Sequence, residues 1–167
     1  MKKNVLILFA LLFTSLTFIS CSSDSSEATT SNSTTTETAK NYNHTQTEVQ
    51  LLDLINDYRV GKGLNPLQII EHISYKSSEH NVYMIETNSV NHDGFDERKT
   101  NLQNVLGAYK VGENVAYGFS TPQAALTAWI NSDGHRANLE GNYSHFGLSI
   151  SQDENGRFYY TNMFIKK

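Results

Sequence analysis

The sequence predicts an α+β domain: helices packed on a small, mainly antiparallel sheet. Three observations carry this. Apolar residues recur at helical spacing through the first half of the folded region, as Val49, Leu52, Ile55 and again as Ile70, Ile73, Ser77, His80, Met84. Two strand-like segments close the chain, "HFGLSIS" alternating Phe146, Leu148 and Ile150 with Gly147, Ser149 and Ser151, and the β-branched, aromatic "RFYYTNMFIK". Asp153-Glu154-Asn155-Gly156 lies between them, and Asn-Gly is a strong hairpin signal.

The elements follow in order. Thr45 and Glu48 stand at capping-box spacing and open the first helix, which Gly61 and Gly63 end. Asn65-Pro66 reads as an N-cap followed by proline at the first helical position, so a second helix is expected from there. A third helical stretch covers about Asp96–Leu106, and Thr121-Pro122 starts a fourth, "TPQAALTAWINS". "ENVAYG" at 113–118 reads as a third strand. Gly134 is expected to stop the fourth helix in a left-handed conformation.

The N-terminus is different in kind. Lys2 and Lys3 precede an apolar run from Val5 to Ile19, then Ser20 and Cys21. This is a secretory signal pattern, too short for a membrane span of about 20 residues. Cys21, the only cysteine, sits at the cleavage point and resembles the lipidated residue of a bacterial lipoprotein box. Residues 22–43 hold six Ser and six Thr but no Val, Ile, Leu or Phe, so they are expected to form a disordered tether of about 25 Å. The domains are therefore a lipoprotein signal at 1–21, a tether at 22–43 and a folded domain at 44–167.

Composition excludes several classes. With Cys21 committed, the domain has no disulfide and no thiolate metal site. Loss of Lys2 and Lys3 takes 13 basic residues to 11 against 17 acidic ones, a net −6. There is no basic run, so nucleic acid is not an expected partner. The expected location is extracytoplasmic, anchored to a bacterial membrane through Cys21 at the cell envelope or surface.

Of six histidines, His44, His72, His80 and His145 read as structural, His80 as a hydrogen-bonded core or boundary residue. His92 and His135 lie on turns beside regular elements, where site residues concentrate. Glu113 precedes an apolar strand. Ser132, Asp133 and His135 invite a triad reading. Residues so close at a helix end are expected to diverge, and no G-x-S-x-G elbow exists, so a triad is not expected. Ala125, Trp129 and Ser132 fall on one helical face, which points Ser132 along the buried side.

"GENVAYG", "AWINSDGHRANL", "FGLSIS" and "YYTNMF", in this order, resemble the CAP superfamily of cysteine-rich secretory, antigen 5 and pathogenesis-related 1 proteins, most closely its bacterial SCP-like extracellular branch. The resemblance covers about residues 47–165. It implies a three-layer α-β-α sandwich with a central cleft that often carries two histidines and two glutamates. By motif these would be His92, Glu113 and His135, with Ser132 where the second glutamate usually stands.

Three functions follow as expectations. One is a non-enzymatic domain whose cleft, at His92, Glu113, Ser132 and His135, binds a small molecule, lipid or divalent metal. A second is a metal-dependent hydrolase-type activity, in which His92, His135 and Glu113 could complete a Zn²⁺ site with a water as fourth ligand. The third is a structural or cell-envelope interaction role. No catalytic residue is assigned and no cofactor is certain.

Overall fold

A computed structural model of the chain describes residues 37–167. The signal, Cys21 and most of the tether lie outside the described residues. The elements are α1 (Gln46–Gly61), β1 (Gln68–Ile69), α2 (Glu71–Glu86), α3 (Phe95–Leu106), β2 (Lys110–Tyr117), α4 (Pro122–Ile130), α5 (Asp133–Leu139), β3 (His145–Gln152) and β4 (Phe158–Lys166).

The strands form one sheet in the order β1-β3-β4-β2, antiparallel except for the β1–β3 pair. Alternation along β4 divides the core in two. Tyr160 and Phe164 face Leu51, Leu52, Ile55, Leu126, Trp129 and Leu139 from α1, α4 and α5. Met163 and Ile165 face Ile73 of α2 and Leu102 of α3. The result is the three-layer α-β-α arrangement. On β3 the small residues fall under α2, where a Cβ on Gly147 would come within 2.6 Å of the Ser74 backbone nitrogen. Glycine there lets helix and sheet backbones approach closely. Asn81 then reaches from α2 to the Ser149 carbonyl and accepts from Thr161.

The capping box of α1 forms as expected and does more than cap. Glu48 Oε2 accepts from the Thr45 amide at 2.7 Å. Its Oε1 accepts from the Tyr42 hydroxyl at 2.7 Å and the Ile150 amide at 2.8 Å. Burying this carboxylate is tolerable because both oxygens are used.

Three expectations are corrected. Asn65-Pro66 does not open a helix. The Gln68 and Ile70 amides bond to Ser144 and Phe146, so this stretch is spent as an edge strand and α2 starts at Glu71. The fixed φ of proline suits an extended segment as well as a first helical turn. Gly134 is not a left-handed stop. α4 ends at Ile130, and Gly134 sits inside α5, whose N-cap is Ser132 with φ −107°. Ser132 therefore does not continue the Trp129 face. The tether also ends earlier than residue 43. Glu37 accepts from Asn101 at 2.5 Å, the Lys40 amide donates to His72, and Tyr42 bridges Glu48 and Ser149. One aromatic anchor and a run of polar contacts dock residues 37–44 across α2.

Each of the four histidines read as structural has a hydrogen-bond partner. His44 bonds Ser74, His72 bonds Lys40 and Asn101, His145 bonds Ser144, and His80 bonds the Asn91 carbonyl. The 153–157 hairpin loop closes with Gly156 at φ +78°.

Candidate functional site

The site is built on the free edge of the sheet. Among the described residues β2 pairs with β4 on one side only. Its outward carbonyls are met by side chains instead: Trp129 Nε1 donates to Val115 at 2.9 Å, and Asn138 Nδ2 donates to Glu113 at 3.0 Å. Asn138 also donates to Asn114 Oδ1, and Asn114 Nδ2 donates to the His135 carbonyl. This amide chain seats α5 against β2. A Cβ on Gly112 would stand 2.7 Å from Asn138 Oδ1 and crowd the Tyr143 hydroxyl, so a larger residue would have to displace these side-chain ends.

Glu113 is buried on the α2–α3 side of that edge. Arg98, from α3, holds it with a two-pronged contact, Nε to Oε2 and Nη2 to Oε1, both 2.8 Å. His92 Nδ1 donates to Oε1 at 2.8 Å from the loop between α2 and α3. His80 Nε2 stands 3.9 Å from the same oxygen. The third Arg98 donor, Nη1, goes to the Asp93 carbonyl and pins the loop. Three charge-assisted or ring N–H donors thus hold both carboxylate oxygens, two at Oε1 and one at Oε2. His92 remains half exposed, with Nε2 left over from the Glu113 contact.

His135 reaches the region from α5. Its Nδ1 pairs with Ser132 Oγ at 2.9 Å, N-cap to third helical residue. The expectation that Ser132 and His135 diverge is thus corrected: the short α5 begins at Ser132 and turns both onto one side. Asp133 stays apart, with its side chain 94% exposed and paired to Arg136, so Ser132, Asp133 and His135 do not form a triad. Burial, aided by the nearby His92, lowers the proton affinity of His135. Burial does the same for His80, against the opposing pull of Glu113.

The cysteine-rich secretory protein (CAP) family model matches residues 52–164. The chain belongs to the CAP family. It is 34% identical over 133 residues to the uncharacterized membrane protein YlbC of Bacillus subtilis, covering 74% of this chain and 35% of that one. It is 36% identical over 129 residues to the uncharacterized protein YkwD of the same organism, covering 72% and 47%. The chain thus spans less than half the length of either relative. Among solved structures, an extracellular SCP-domain protein of Bacillus anthracis superposes with TM-score 0.63 at 31% identity, covering 72% of this chain and 40% of that one. A cysteine-rich secretory protein of Staphylococcus aureus gives 0.60 at 26%, covering 72% and 39%.

The CAP motif residues divide by role. Trp129, Asn114, Asn138 and Gly112 build the edge. Glu113 and His92 form one bonded pair, while Ser132 and His135 form another, joined to the first through Asn114 and Asn138. The geometry does not suit a metal. Among the described residues no three His, Cys, Asp or Glu side chains are grouped to hold one. The one carboxylate in the expected set, Glu113, already faces the Arg98 guanidinium.

Sequence reading missed Arg98 and placed His80 only as structural. Arg98 had a signal: with Phe95 and Leu102 it falls at i, i+3 and i+7, a charge on an apolar helical stripe. A buried cation needs a buried anion, and Glu113 is that partner.

Proposed function

We propose that this CAP domain is extracytoplasmic and holds a small organic ligand in the cleft at the sheet edge, without a resident metal and without catalysis. The observation that carries this is the pairing of Glu113 with the Arg98 guanidinium and His92. It turns the family's acidic position into a neutral, pre-bonded wall. A cavity of about 350 Å³ opens between His92, Phe95, Gly112, Glu113 and Asn138. An apolar ring, a few polar groups and that volume suit a lipid fragment or other small amphipathic molecule. His92 is oriented by Glu113 through Nδ1 and keeps Nε2 for the ligand. A metal-dependent hydrolase would need a free carboxylate here, and Glu113 is held by Arg98.

The test is mass spectrometry of molecules extracted from the purified full-length protein. A species recovered from wild type and lost from His92→Ala is expected. Identical extracts from both would contradict the reading. The extracytoplasmic location rests on the signal pattern and on the extracellular B. anthracis relative. Cys21 is proposed as the lipid anchor. Cys21→Ala should release the protein from the membrane fraction, and unchanged fractionation would refute the anchor.

A further inference from the structure

Residues 37–44 lie docked along α2, and their contacts close a circuit that includes α3. Asn101 of α3 donates through Nδ2 to Glu37 Oε2 at 2.5 Å, which turns its Oδ1 toward His72 of α2. His72 Nε2 stands 2.8 Å from that oxygen. An amide oxygen only accepts, so Nε2 bears the ring proton. Nδ1 is then the acceptor, and it takes the Lys40 amide at 3.0 Å. His72 is 1% exposed, and both its nitrogens are used. Glu37 and Lys40 are thus gripped from α2 and α3 at once. Lys76 of α2 adds its charge 3.8 Å from the other Glu37 oxygen.

The circuit matters because α3 has little else to hold it. Leu102 is its one fully buried apolar side chain, and Phe95 and Leu106 are only partly covered. Its N-cap is Gly94, which has no side chain to cap with. An element with few buried apolar contacts opens at a lower free energy than the whole domain. α3 also carries one wall of the cleft: Phe95 lines the cavity, and Arg98, about one turn before Asn101, holds Glu113. The other end of the docked segment is anchored away from α3. Tyr42 donates its hydroxyl to Glu48 of α1, pairs with Ser149 of β3 and gives its amide to Glu71 of α2. We infer that residues 37–44 are a strap that clamps α3, so that undocking the strap loosens the Phe95–Arg98 wall of the cleft. As a control on ligand access it rests on the cleft reading above, but the contacts themselves need no ligand.

The experiment is amide hydrogen exchange read by mass spectrometry on the full-length protein in detergent, comparing wild type with Tyr42→Phe and Asn101→Ala. Coupling between two elements is reciprocal, so each variant is read at the element it does not touch. Tyr42→Phe loosens the strap at its far end and should speed exchange in α3 about fivefold, the factor that losing one hydrogen bond gives. Asn101→Ala frees α3 and should speed exchange over residues 37–44 by a similar factor. Exchange in β4 should stay at the wild-type rate in both. Wild-type exchange in α3 of Tyr42→Phe, or over residues 37–44 of Asn101→Ala, would overturn the clamp. An equal speeding in β4 would overturn it too, since the loosening would then be general. These rates are the same question with the cleft empty or filled, whereas the extracts from wild type and His92→Ala test the cleft reading by themselves.

Discussion

Replacing Arg98 by methionine is the sharpest perturbation of the site. The change keeps the apolar stem beside Phe95 and Leu102 and removes the fork that holds Glu113. The carboxylate, 1% exposed in its side chain, keeps only His92 Nδ1. Breaking a buried pair by removing one partner costs about 3–5 kcal/mol. Arg98 is at the lower end because its side chain is 10% exposed and His92 remains, so about 3 kcal/mol is expected. Urea titration should show a lower midpoint with an unchanged slope. The decisive form is a double-mutant cycle with Glu113→Gln. If the two side chains are bonded as described, the double variant is more stable than the sum of the singles predicts, by about 1.5 kcal/mol or more. Additivity to within about 0.5 kcal/mol would refute the pairing.

Other perturbations reach the scaffold. Trp129→Phe leaves the Val115 carbonyl without its indole donor and opens space in the core, so a loss of about 3 kcal/mol in urea-derived stability is expected. Tyr42→Phe should cost about 1 kcal/mol and speed amide hydrogen exchange over residues 37–43, while exchange in β4 stays slow. His80, His135 and His145 all bind protons less readily when folded, chiefly through burial. Above the ordinary imidazole value of 6.5 both states are neutral at these groups and stability is insensitive to them. Below it the unfolded chain takes up protons that the folded chain resists, so these groups make stability fall with pH. Urea midpoints from about pH 7.5 to about 5.5 should therefore decline, and a rising midpoint would contradict the assignment.

The legible parts of this protein were those written in local pattern. The Thr45–Glu48 box, the α2 stripe, Thr121-Pro122 and the alternation of β3 each depend on residues within a turn or a pleat of one another, and each formed. The misreadings arose where one local signal serves two structures. Pro66 fits a helix start or an extended strand, and only the pairing of Gln68 and Ile69 with β3 decides between them. Gly134 fits a helix stop or the first turn of a following helix. Ser132 decides it, as an N-cap whose third residue is His135 rather than the more familiar Glu or Gln. The site was half legible. Motif placed His92, Glu113 and His135, but the Arg98–Glu113 contact spans 15 residues and is made by α3 packing on β2. No periodicity encodes it, apart from a single arginine on an apolar stripe.

Arg98 and His92 hold Glu113 and, among the described residues, leave no group of side chains for a metal. Calorimetric titration of the full-length protein with Zn²⁺ tests this most directly. The account predicts no stoichiometric binding in the micromolar range, and no difference between wild type and His92→Ala. One-to-one micromolar binding, abolished by His92→Ala or His135→Ala, would contradict it.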